Sequence, residues 1–227
     1  MMVLAATLTA FAQPSSKTKS SDKPLTLIPK VGVNYSFTNL DSWVSKGVIE
    51  KPDVKGLVGP VAGVELEYKH NPKLGFSAAV LYSMQGRKYD DVAAYDQAMK
   101  TGMVSSKKNA TISTERHHYI NIPLTANYYV VPGLALRAGL QLGVLFHKSG
   151  TQDWPYDNES PKHNISVSPN KFDLSIPVGV SYALSNGLQF DLRYNHGLTK
   201  ISSSAGLIKE SNRVIQFSVG YRLNIFK

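Results

Sequence analysis

No cysteine occurs among the 227 residues, which excludes a disulfide scaffold, a thiolate-ligated zinc site and thiol catalysis. Charge is sparse: 18% of residues are Asp, Glu, Lys or Arg, and 16 acids stand against 25 basic residues. That surplus favours anionic partners without naming one, and no basic helix or aromatic-basic platform of the kind that holds nucleic acid is present. Beyond the first dozen residues no apolar run approaches the roughly 20 residues that a membrane-crossing helix needs. Disorder is excluded as well, because 42% hydrophobic and 10% aromatic residues supply too much apolar surface for it.

At the N-terminus, Val3 to Ala12 is short and apolar and ends in Ala10-Phe11-Ala12 before Gln13, the small-x-small pattern of an export cleavage site. Residues 1–12 are expected to be a signal peptide whose basic start lies upstream. Residues 13–24 (QPSSKTKSSDKP) are polar and rich in Ser, Lys and Pro, the composition of a flexible periplasmic tether. Residues 25–227 are expected to form one domain.

From Leu25 onward the hydrophobic period is two, the signature of strands with unlike faces. Eight segments follow it: Ile28–Leu40, Val58–Lys69, Leu74–Gly86, His117–Val130, Leu134–His147, Phe172–Leu184, Leu188–Leu198 and Val214–Ile225. In the last, Gln216, Ser218, Gly220 and Arg222 alternate with Ile215, Phe217, Val219 and Tyr221. Three connections are tight and built of turn residues: His70–Lys73, Val131–Gly133 and Ser185–Gly187. Four are long and polar: around Asp41–Leu57, Arg87–Ser113, Lys148–Lys171 and Lys200–Asn212. Short and long alternate strictly, as they do when an up-and-down antiparallel sheet has every tight turn at one end. In outer-membrane barrels the tight turns are periplasmic and the long loops extracellular.

A closed barrel can bury either row. A soluble, lipocalin-like barrel encloses the apolar row; a membrane barrel encloses the polar one. The polar row mixes Gly and Ser with ions of both signs, Lys30, Glu65, Glu67, Lys69, Arg137, Asp173, Asp191, Arg193 and Arg222, which suits a narrow lumen. The apolar row carries almost no charge, as lipid demands: Arg or Lys at the midplane costs roughly 2–4 kcal/mol. Aromatic residues of that row sit at two levels. Tyr68, Phe76, Tyr128, Tyr182 and Phe190 lie by the tight turns, while Phe37, Tyr82, Phe146, Phe172, Tyr194 and Phe217 lie towards the long loops, the arrangement of interfacial girdles. The pattern therefore predicts an all-β, eight-stranded, antiparallel transmembrane barrel. An interior of eight strands is just wide enough for side chains, so ion pairs such as Glu65 or Asp191 with Arg193 or Arg222 are expected to plug it.

Several short motifs resemble the PorT-type outer-membrane β-barrel proteins of Bacteroidetes. They are Leu81-Tyr82-Ser83-Met84-Gln85-Gly86, Tyr119-Ile120-Asn121-Ile122-Pro123-Leu124 with Tyr128, Phe172–Gly179, Leu192-Arg193-Tyr194 with Gly197-Leu198, and Gly220-Tyr221-Arg222-Leu223. The resemblance implies a multi-pass barrel of the OmpA/OmpX-like kind in the bacterial outer membrane, inserted by the barrel-insertion machinery. For some members it implies a role in secretion or gliding with an envelope or secretion-system partner.

Reactive residues make no motif, so no catalytic, cofactor or metal residue is assigned. His117 and His118 are adjacent on a strand and must point to opposite faces, so they cannot chelate one ion together. His147, His163 and His196 near loop ends, with Asp153, Asp157 or Ser166, would be needed for the alternative of a rim-located hydrolase. Pro123 and Pro177 interrupt predicted strands, where each is expected to mark a bulge or bend. Arg87, Lys88, Lys107, Lys108, Arg116, Lys200, Lys209 and Arg213 are placed on the loop rim. Of these, Lys107, Lys108, Lys209 and Arg213 are candidates for contact with lipopolysaccharide phosphates. The sequence predicts a non-enzymatic barrel acting through its loops as a structural, adhesion or secretion-associated component.

Overall fold

The computed structural model describes residues 25–42, 53–157, 162–165, 171–200 and 209–224. The expected signal peptide and tether lie outside them, as do Ser166 and the side chains of Lys200 and Lys209. The described residues form β1 (Leu25–Ser42), β2 (Asp53–Lys69), β3 (Leu74–Asp90), α1 (Val92–Lys100), β4 (Ile112–Val131), β5 (Leu134–Asp153), β6 (His163–Ile165), β7 (Phe172–Ala183), β8 (Leu188–Lys200), β9 (Lys209–Tyr221) and β10 (Leu223–Asn224). Each long strand pairs antiparallel with the next, and β9 returns to β1, closing an eight-strand ring. The two-residue β10 continues β9 past Arg222 and also pairs with β1, while β6 adds to the edge of β5.

Burial alternates along the membrane-spanning part of each long strand in the sense that a membrane requires. Val31, Val33, Val64, Val80, Leu124, Leu136, Leu140, Leu192 and Phe217 are exposed on the outside, while Lys30, Glu65, Gln141, Asp191, Arg193 and Gln216 are buried within. Period two produces this, since a pleated strand sends successive side chains to opposite faces. The soluble barrel, with its apolar row enclosed, is thereby excluded.

The tight turns rest on local chemistry. Asn71 Oδ1 accepts the N–H groups of Lys73 and Leu74 at 2.9 and 2.8 Å, and Gly133 and Gly187 supply φ values of 86° and 92° that side-chain-bearing residues rarely adopt. At the other end the strands outrun the sequence pattern. β4 and β5 each span 20 residues, roughly 65 Å of extended chain against a hydrocarbon core of about 30 Å. Even tilted, they stand well clear of the membrane. There neither face meets lipid, and the apolar-polar alternation that marks a strand in the sequence fades. The expected loop over Arg87–Ser113 is therefore partly ladder, with Asp90 opposite Ile112. Its remainder holds α1, which the sequence pattern does not reveal: nine residues, burying only Ala94 and Ala98.

Neither proline makes a bulge. Pro123 pairs with Gln141, and Pro177 with Asn195, in unshifted register. Instead the ladder is interrupted on one flank of each. Pairing skips from Ala78–Leu124 to Leu81–Asn121 beside Pro123, and from Ala138–Val178 to Gln141–Ser175 beside Pro177. A proline has no N–H to donate, so it costs ladder bonds without changing the residue count. The β4–β5 pairing shifts twice, between Tyr129 and Val131 by the tight turn and at His118/Tyr119, where His118 faces His147 and Tyr119 faces Leu145, leaving Phe146 as the extra residue.

Candidate functional site

The chemistry-bearing residues fill the lumen in layers. In the tight-turn half, the guanidinium of Arg137 on β5 is almost wholly buried. Its Nη1 donates to Asp191 Oδ2 on β8 at 2.5 Å, and Nη2 donates to Glu65 Oε1 on β2 at 2.5 Å and to Ser77 Oγ on β3 at 2.6 Å. Nε donates to Asn127 Oδ1 on β4 at 2.9 Å. One side chain thus ties four other strands together. Lys30 Nζ on β1 donates to Glu65 Oε2 at 2.7 Å, and Arg193 Nη2 lies 3.4 Å from Asp191 Oδ1 and 3.6 Å from Glu65 Oε2. Below this layer Arg222 donates to Glu67 Oε1 (2.6 Å) and Gln189 Oε1 (2.7 Å).

The loop half is held by amides and hydroxyls. Asn34 Nδ2 donates to Ser83 Oγ at 2.7 Å, and Gln85 Nε2 to the same oxygen at 2.9 Å. Asn212 donates to Gln85 Oε1 and, at 3.5 Å, to Asp173 Oδ2, while Thr199 Oγ1 donates to Asp173 Oδ1 at 2.6 Å. A final ion pair sits above: Arg87 Nε donates to Glu115 Oε2 at 3.0 Å, with His117 Nε2 at 3.8 Å from the same carboxylate. Among these inward groups the cations Lys30, Arg87, Arg137, Arg193 and Arg222 face the carboxylates Glu65, Glu67, Glu115, Asp173 and Asp191. The filling is formally neutral. Neutrality matters because an unpaired ion in a poorly hydrated tube carries a large desolvation cost, whereas paired ions come near to breaking even.

Two charged positions differ from expectation. Lys69 keeps the inward phase but is the last residue of β2 and exposed, with Nζ 4.8 Å above the Tyr129 ring. Arg87 belongs to the lumen and not to the rim, because β3 continues past Gly86 and carries it inward. The aromatic row is outward throughout, with Tyr68 opposite Phe76 and Tyr182 opposite Phe190 in the ladder. Phe217 is the exception in level: it stacks on Phe190 with ring centres 6.5 Å apart, so it belongs with the tight-turn aromatics. β9 enters from the loop side, and its closing ladder with β8 sets that height.

At the loop end, α1 and the segment after β5 are joined by charge. Lys107 pairs with Asp96 on α1 and stands 5.3 Å over the Tyr156 ring, and Lys108 Nζ is 3.5 Å from Asp157. The hydrogen bond to Asp96 holds the Lys107 ammonium above its ordinary pKa. Asp90 caps the ladder: burial pushes its carboxyl up, but hydrogen bonds from Lys55 Nζ (3.1 Å) and the Val92 N–H (3.2 Å) and the charges of Lys55 and Lys88 outweigh this and hold it below the usual value. Arg213 lies on the outer row of β9, opposite Phe37 and His196, three strands around the ring from Lys107 and Lys108. The histidines considered for hydrolysis are engaged otherwise. His163 meets Trp154 edge-on, His196 Nδ1 is 3.3 Å from Tyr194 Oη, and Asp153 pairs with Lys162. Among the described residues no three His, Asp or Glu converge on a metal-sized site.

Comparison with known proteins agrees with the barrel. Residues 11–203 match the family described as outer membrane protein beta-barrel domain. The solid-state NMR structure of outer membrane protein AlkL in lipid bilayers is 12% identical with a TM-score of 0.51, covering 95% of this chain and 97% of that one, a likeness of fold. Ail of Yersinia pestis (12% identity, TM-score 0.48, 88% and 99% of the two chains) and OprG of Pseudomonas aeruginosa (13%, 0.43, 88% and 96%) are also similar. No curated protein sequence matches the chain. With its apolar row outside, its ions inside and most of its length matched by that family, the chain belongs to the outer membrane protein beta-barrel domain family and resides in the bacterial outer membrane.

Proposed function

We propose that this barrel is a non-enzymatic envelope component whose lumen is sealed and whose extracellular end does the work, as a structural, adhesion or secretion-associated element. The observation that carries this reading is the Arg137 junction. A guanidinium bonded to four other strands supports a lumen blocked at that level, and in this reading the protein's role comes from surfaces beyond the membrane. Those surfaces are the projecting β3–β4–β5 ladder, α1 and the segment carrying Trp154 and Tyr156. The pairing of Asp153 with Lys162 and of Asp157 with Lys108 supports a recognition surface over a hydrolytic one. The PorT-type motifs support, in this reading, a role in secretion or gliding.

Residues 1–12 would act as the export signal and 13–24 as the periplasmic tether. Lipopolysaccharide phosphates are the anionic surface that the loop side meets, with Lys107, Lys108, Lys209 and Arg213 as the contacts; reversing all four charges should weaken binding, and unchanged affinity contradicts that assignment. Planar-bilayer recording on purified protein tests the sealed lumen. The expected result is no large, steady conductance; a stable open channel overturns the reading.

A further inference from the structure

On the outer face, at the level of the loop-side aromatics, two histidines meet that the sequence keeps 29 positions apart. His118 on β4 lies directly opposite His147 on β5 in the ladder, with ring centres 5.1 Å apart and planes inclined at 55°. The register shift at this point makes the meeting possible: β5 takes up Phe146 as an extra residue, which brings His147 onto the outer row beside His118. Tyr82 of the neighbouring β3 completes the group, its hydroxyl 2.8 Å from His118 Nδ1. We infer that His118 and His147 form a chelating site for a divalent transition-metal ion of the imidazole-binding kind, such as Zn²⁺, Ni²⁺ or Cu²⁺.

Three features support this beyond the presence of two imidazoles. The first is spacing: an ion about 2.1 Å from one nitrogen of each ring, with the two bonds near a tetrahedral angle, sets the ring centres roughly 5 Å apart, the separation observed between His118 and His147. The second is the partner on the far nitrogen. A metal-bound imidazole is oriented by a hydrogen bond from its other N–H, and Tyr82 Oη stands where His118 Nδ1–H would donate, leaving Nε2 for the ion. The third is access, since His147 is exposed and His118 partly so, and their level beside Phe146 and Tyr82 is the hydrated headgroup zone. Two protein ligands leave the remaining positions to water or headgroup oxygens. Arg116, the next outward residue on β4, adds a nearby positive charge that keeps the site weaker than a three-ligand centre.

The test uses tag-free, detergent-purified barrel titrated with ZnCl₂ and NiCl₂ by isothermal calorimetry, with the heat-dependent gel shift confirming that each variant is folded. The expected result is one saturable equivalent per chain. That binding is lost in both His118→Ala and His147→Ala, weakened several-fold in Tyr82→Phe, and unchanged in His196→Ala. Absence of saturable binding by the folded wild type overturns the site, as does binding that survives His147→Ala.

Discussion

Glu65 and Arg137, 72 residues apart in the chain, lie 2.5 Å apart inside the barrel. Glu65 is the more critical of the two, because its carboxylate answers three cations, Lys30, Arg137 and Arg193. Glu65→Gln leaves those three against Asp191 alone and should cost about 3–5 kcal/mol, the usual result of stripping one partner from a buried pair. Arg137→Met leaves Lys30 and Arg193 against Glu65 and Asp191, a neutral set, and should cost less. Urea unfolding in lipid vesicles measures both; equal losses would contradict charge balance as the organising factor.

Lipid contact of the outer row predicts a second asymmetry. Leu140 is exposed on the outside of β5, opposite Leu124. Leu140→Arg should destabilise the vesicle-embedded barrel by about 2–4 kcal/mol, whereas Gln97→Arg on the exposed side of α1 should change stability by less than ~0.5 kcal/mol. The same vesicle unfolding assay reports each.

Gly139 sits where β4 and β5 approach closely: a Cβ there would stand 1.9 Å from the Leu124 carbonyl oxygen and 2.8 Å from Thr125 Cα. Backbone atoms cannot yield as a side-chain tip can. Gly139→Ala should therefore cost about 1–3 kcal/mol through overpacking, seen as a lower urea midpoint with the folded gel shift retained.

The Asp90–Lys55 contact fixes a direction for pH. Because the folded carboxyl titrates below its ordinary value of 3.8, its contribution is present above pH 3.8 and fades as pH falls through the folded value. Protease nicking at the loop-side end of the β2–β3 ladder, where Asp53 pairs with Asp90, should rise below pH 3.8. Lys55→Met should move the Asp90 midpoint, followed by carboxyl NMR, upward, and added salt should do the same because Lys55 is exposed.

The sequence made the barrel legible wherever one face met lipid and the other the lumen, because those solvents impose opposite composition at every second residue. Val214–Tyr221 and Leu188–Leu198 show this at full strength. Legibility failed where that contrast ended. The outer stretches of β3, β4 and β5, with polar residues on both faces, read as loop, which puts Arg87 on the rim. Helix α1 is not legible in the sequence, because nine residues burying two alanines leave almost no periodic trace. The meeting of His118 with His147 depends on a one-residue register shift, which no alternation pattern encodes. Pro123 and Pro177 were visible, but whether a proline shifts the register or merely opens the ladder is settled by its neighbours' pairing.

Orientation is the central claim, and the absence of native cysteine gives it a clean test. Single cysteines at Leu136, Leu140 and Leu192, and separately at Gln141, Gln216 and Ser218, can each carry a nitroxide in vesicle-embedded protein. Electron paramagnetic resonance then compares collision with membrane-dissolved oxygen. The first set should collide strongly with oxygen and the second weakly; the reverse pattern would contradict a barrel that turns its apolar row to lipid.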